Sequence, residues 1–251
     1  MKRNKAPTGT IWRGVVRAAG ILVLILGLAG CGSRAQLNLD PEGSGTAEIV
    51  VDLDPVFVAY FRDLSGAVGG EANMPIFDLT AISDRFRQEE HLTLQGARSP
   101  AQGRLELSVS FDNLIDLAED ARFGRLIEYS REGNDGASLR IRITPEDVPF
   151  LLSLSGMAEG SPVELLLPPP GGDMSSEEYR EYLIWALEEY EEPGRLRQIL
   201  DGAAVMVTVT TPTSIESVVN GAQLGPREAR FRIELLSLLT GEHEGVYELR
   251  Y

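Results

Sequence analysis

The 251-residue chain contains one cysteine, Cys31, and two histidines, His91 and His243. A single thiol excludes an intrachain disulfide, so an exported domain of this sequence must be held together by its hydrophobic core. Two histidines far apart in sequence, with no neighbouring cysteine, lack the spacing of a zinc site. Lysine is confined to Lys2 and Lys5, and every later basic residue is arginine. Codon usage in a GC-rich genome accounts for that bias, with phosphate or carboxylate recognition by the guanidinium fork as the functional alternative. The longest apolar run, residues 18–29, falls well short of the roughly 20 residues that a membrane-spanning helix needs.

Catalytic patterns are missing as well. Residues 152–156, Leu-Ser-Leu-Ser-Gly, are not the Gly-x-Ser-x-Gly elbow of a serine nucleophile and read as a glycine-capped helix end. The glycine-rich stretch 66–70 has no lysine and no following helix to form a phosphate loop. Acidic residues cluster around Glu188 without the alternating carboxylates and glycine of a calcium loop, which leaves a solvated acidic face. With no base, nucleophile, cofactor motif or metal motif, the expectation is a non-enzymatic protein without a cofactor.

What is present begins at the N-terminus. Lys2, Arg3, Lys5, Arg13 and Arg17 precede the apolar run with no acid among them, the pattern of a secretory signal. The run closes on Leu28-Ala29-Gly30-Cys31. These four residues resemble the lipobox of bacterial lipoproteins. The resemblance implies that a signal peptidase recognises Leu28, Ala29 and Gly30 and cuts before Cys31, and that the Cys31 thiol carries a diacylglyceryl group holding the chain to a membrane. Gly32, in place of an aspartate after the lipidated cysteine, leans towards the outer membrane where two membranes exist. Residues 31–45 then read as the lipidated cysteine and a flexible polar tether containing Pro41, Gly43 and Gly45.

Removing residues 1–30 leaves eighteen basic against thirty-eight acidic residues, a net charge of −20. Nucleic-acid phosphates would repel such a chain, so nucleic-acid binding is excluded.

From residue 46 the pattern becomes strand followed by short helix, recurring at irregular intervals. Alternating segments 47–53, 104–110, 139–143 and 229–233 each lead into apolar helical turns. Asp54-Pro55 marks one helix start, as N-cap and first-turn proline, and Gly241 one helix end. Further strands are expected at 91–94, 126–130, 163–167, 204–211 and 245–251, with a short helix at 79–88. Asn134-Asp135-Gly136 is a hairpin turn signal. The fold class is therefore α+β: one largely antiparallel, meandering sheet with short helices packed on one face, in a single domain spanning 46–251.

A helical insertion interrupts that plan at 174–200. Ser175 and Glu178 have capping-box spacing, and Tyr179, Leu183, Leu187 and Tyr190 fall on one face. Tyr182 and Trp185 fall beside them, and Glu188, Glu189, Glu191 and Glu192 crowd the end of the first helix, where acids oppose the macrodipole. The bland reading is core contacts on one face and amphipathic surface on the other. The functional reading is that Tyr179, Tyr182, Leu183, Trp185, Leu187 and Tyr190 flank a cavity for an apolar ligand, or present a face to a protein partner.

The C-terminal third adds one more signal. Residues 205–239 run as a valine-rich strand, Thr211-Pro212, Ile215, Asn220-Gly221, an alternating strand and a leucine-rich segment. This stretch resembles the closing part of the LppM-type domain of bacterial lipoproteins. That resemblance implies an envelope-facing α+β domain whose relatives are associated with lipid or glycolipid binding, and it brings no catalytic residues. The expectation is an envelope lipoprotein that binds a lipid or other amphiphile, with a scaffold lipoprotein contacting a protein through its acidic helix as the alternative.

Overall fold

The computed structural model describes residues 32–67, 75–120, 123–132, 136–148, 150–151, 166–168, 174–242 and 245–251. Leu28, Ala29, Gly30 and Cys31, His243, the 152–156 helix end, most of the 163–167 strand and the Asn134-Asp135 turn lie outside them. Among the described residues the chain forms α+β architecture, with eleven strands in two sheets.

Strands β1 (Ser33–Leu39), β2 (Gly45–Asp52), β3 (Leu92–Ala101), β4 (Arg104–Phe111), β7 (Ala204–Thr210), β9 (Gly221–Gly225) and β10 (Glu228–Glu234) build a seven-stranded sheet in the order β3-β4-β2-β1-β7-β10-β9. Strands β5 (Ile127–Glu132), β6 (Gly136–Ile143), β8 (Ser217–Val219) and β11 (Gly245–Arg250) form a second sheet, β5-β6-β11-β8, antiparallel throughout. Helices among the described residues include α1 (Pro55–Ala67), α2 (Leu79–Phe86), α3 (Leu114–Glu119), α4 (Ser176–Leu187), α5 (Pro193–Gly202) and α6 (Leu235–Thr240). The expected single meander is thus two sheets, and the larger one is mixed.

The principal correction is at the start of the domain. Residues 33–39, read from sequence as part of a flexible tether, are the middle strand of the seven. β1 pairs antiparallel with β2, Arg34 opposite Val50, and parallel with β7, Ser33 opposite Val205 and Asn38 opposite Thr210. Its alternation explains why: Ser33, Ala35, Leu37 and Leu39 are buried and the residues between them are exposed. Four inward positions at period two suffice for a strand when both neighbouring strands are present to complete the ladder. The turn that follows is tight, with Asp40 N–H donating to the Ser44 carbonyl and Gly43 at φ 89°.

The same alternation runs across the sheet. Ile49, Leu107, Val207 and Phe231 point into one core, to which α1, α4, α5 and α6 contribute Phe57, Leu183, Leu196 and Leu235. The opposite face carries Arg34, Gln36, Glu48, Arg230 and Arg232 in the open. Helices on one side and water on the other is the arrangement the strand patterns predict. Gly45 permits the closest approach in this layer: a Cβ there would lie 2.1 Å from the Asn38 carbonyl oxygen and 2.5 Å from the Phe111 ring.

Candidate functional site: the aromatic shelf of helix α4

Helix α4 is fixed at its N-terminus by the capping box its sequence predicts. Ser175 donates from its backbone N–H and its hydroxyl to Glu178 Oε2, at 2.9 and 2.8 Å, and Glu178 N–H donates back to Ser175 Oγ at 3.2 Å. Those hydrogen bonds, the backbone one foremost, hold the Glu178 carboxyl below its usual range. Ser176 adds a tie to the end of α6: its N–H donates to Glu242 at 2.7 Å and its hydroxyl pairs with Thr240 at 2.9 Å.

From that fixed start the helix divides its side chains. Tyr179, Leu183 and Leu187 are buried, as their spacing predicts, and Ile184 joins them. Tyr190 follows the helix in a turn and is half-buried. The Tyr179 hydroxyl donates to the Leu166 carbonyl, and burial pushes its pKa far above the ordinary tyrosine value. Tyr182 lies nearly parallel to Tyr179, centroids 6.4 Å apart, and Trp185 follows at 6.1 Å from Tyr182. The rings step outward from full burial at Tyr179, through half-burial at Tyr182, to Trp185 at 67% exposure.

Helix α1 widens this ladder into a shelf. Tyr60 packs edge-on against Tyr190, centroids 5.8 Å apart at 81°, and against Phe61 at 5.7 Å. Burial and then the neighbouring Tyr182 raise the Tyr60 pKa. Burial, followed by the charge of Asp63 and a hydrogen bond with it, raises that of Tyr190. Sequence reasoning missed Tyr60, since its spacing on α1 reads only as an apolar helix face. Its partnership with Tyr190 is a tertiary contact.

The acidic character of α4 changes on inspection. Arg180 pairs with Glu177 and, at 2.9 Å, with Asp201, while Arg197 reaches Glu177 at 3.3 Å and Glu181 at 2.5 Å. Glu177 and Glu181 are therefore ion-paired, by the helix's own arginine and one from α5, while Glu178 serves the capping box. Of the four glutamates read from sequence as crowding a helix C-terminus, Glu188 is the C-cap of α4 and Glu189 and Glu191 follow it, whereas Glu192 is the N-cap residue of α5, before Pro193 at its first turn. An acid suits that position, because the helix dipole is positive there.

His91 is half-buried just before β3, and among the described residues no group of three or more His, Cys, Asp or Glu side chains could hold a metal ion. No described helix is long and apolar enough to cross a membrane.

No family model matches the sequence, and no curated protein matches it. Among solved structures the fold is similar to the NMR structure of the folded domain of LppM from Mycobacterium tuberculosis, with a TM-score of 0.42 and 14% sequence identity over 88% of this chain and 90% of that one.

Proposed function

We propose that this chain is a bacterial envelope lipoprotein, held to the membrane by a diacylglyceryl group on Cys31, whose LppM-type domain binds a lipid or other amphiphile without catalysing a reaction. The sequence support is the lipobox Leu28-Ala29-Gly30-Cys31 behind a basic and apolar segment, together with the plan of residues 205–239. The observation that carries ligand binding is Trp185, exposed to 67% while continuous with Tyr182 and the buried Tyr179. A large ring left in water at the end of a rigid aromatic ladder presents apolar area with little conformational freedom left to lose on binding. The half-buried rings of Tyr60, Tyr182 and Tyr190 add amphipathic surface to the same shelf, which suits a ligand with an apolar body and a polar end.

Trp12 lies in the signal segment, so Trp185 is the one tryptophan of the mature chain and reports on its own site. Titrating mature protein with lysophospholipid or a fatty-acid probe should shift Trp185 emission to the blue and saturate. Lipid extraction followed by native mass spectrometry should release a bound amphiphile. Emission that does not change, with a clean apo mass, would remove the ligand-binding half of the proposal.

A second reading, a scaffold contacting a basic protein partner, is favoured by the four glutamates at the α4–α5 turn. Replacing Glu188, Glu189 and Glu191 by Gln should then abolish co-purification of that partner while leaving lipid uptake intact.

A further inference from the structure

We infer that the end of the seven-stranded sheet at which β1 begins is held against the bilayer that carries the Cys31 anchor. The inference rests on the lipoprotein reading above and goes beyond it by assigning a membrane-facing surface and an orientation.

The argument is one of chain length. Only Gly32 separates Cys31 from Ser33, the first residue of a strand bonded on both sides. Two residue steps reach at most about 7 Å. The interfacial layer on one side of a bilayer is itself roughly 5–8 Å thick. An acylated Cys31 therefore sets Ser33 at the headgroups, and the sheet, being rigid, brings its neighbours to the same level. The antiparallel register places the end of β2 there, and the parallel register the start of β7. β10 ends there too, Glu234 opposite Ala204, and β4 starts there, Arg104 opposite Asp52.

The resulting rim comprises Arg34, Asp52, Gln102, Gly202 and Glu234. Arg34, exposed and one residue into β1, stands within reach of lipid phosphates. The β1–β2 turn at Glu42 lies at the opposite end of the strand, about 20 Å away by strand rise. A flexible tether would let either end meet the membrane. A two-step link does not.

Acylation blocks Cys31, so an engineered cysteine becomes the one free thiol of the protein. Full-length Gly202→Cys, Gln102→Cys and Glu42→Cys proteins would be purified from bacterial membranes, with acylation checked by mass spectrometry. Each would be labelled with a thiol-reactive fluorophore and reconstituted in phosphatidylcholine vesicles containing headgroup-nitroxide lipid. Gly202 has open space around it, so its substitution leaves the fold undisturbed. Labels at positions 202 and 102 should be quenched several-fold more strongly than one at 42. A twelve-residue Gly-Ser insertion between Gly32 and Ser33 should erase the difference. Equal quenching in acylated protein overturns the orientation alone, as does a difference that survives the insertion. An unacylated Cys31 overturns the lipoprotein reading and this inference with it.

Discussion

Tyr179 joins two roles in one side chain: its ring belongs to the core and its hydroxyl satisfies the Leu166 carbonyl. Tyr179→Phe keeps the ring and removes the buried hydrogen bond to the Leu166 carbonyl, so unfolding free energy should fall by about 1–3 kcal/mol in urea titration. The pH dependence has a definite sign. The ordinary tyrosine pKa is 10.0, and burial raises it in the folded protein, so the unfolded chain ionises first. Stability from this group is fully present below pH 10.0 and is lost as pH rises above it. A urea midpoint that is flat to pH 9.5 and declines above pH 10, with the decline reduced in Tyr179→Phe, is the expected record. Trp185→Ala should behave in the opposite way: with the ring already in water, melting temperature should hardly move while amphiphile binding is lost. Gly45→Ala should cost several kcal/mol, because the clash is with backbone at Asn38 and the chain on both sides is fixed in ladder.

At the scale of elements, the strands that announced themselves in sequence are those with five or more alternating positions and a clear helix start behind them. β4, β6 and β10 are of this kind, and each stands within a few residues of its expected place. β1 was not legible in that way. Its alternation relies on Ser33 and Ala35, weak hydrophobic signals, and its neighbourhood of glycine, proline and a lipobox-like stretch favours a linker by composition alone. β8 and β9 were also missed, being three and five residues long and separated by Asn220 at φ 57°, so their identity comes from their partners β11 and β10. The α4 ladder was half legible: spacing identified Tyr179, Leu183 and Leu187 as one face, whereas the stacking of Tyr182 and Trp185 depends on side-chain rotamers that spacing does not specify. The reassigned strand supports a sharp test. Leu37→Ala should destabilise by about 2–5 kcal/mol, as a buried leucine in a central strand does. A chain beginning at Gly45, which a linker reading would regard as intact, should lose its cooperative thermal transition in circular dichroism.

For the whole molecule, the distribution of charge and amines is unusual enough to be measured. In the proposed lipoprotein, removal of residues 1–30 takes both lysines with it and leaves the amine of Cys31 as the one primary amine of the remaining sequence. An amine-reactive dye should therefore label the precursor at several sites and the processed protein at one at most, and at none where that amine is also acylated. Intact-mass measurement distinguishes these cases directly.

The pairing of Ser33 with Val205 also sets a schedule. In the proposed exported protein β1 emerges first and its parallel partner β7 only as the seventh strand in chain order, more than 160 residues later, so the sheet stays split through its middle until then. Contacts this distant in sequence close slowly. Throughout that interval the strand carrying Ala35, Leu37 and Leu39 has an unpaired edge. In the proposed exported protein, mispairing is therefore favoured most before the C-terminal third arrives, and the opening strand is the segment in need of cover.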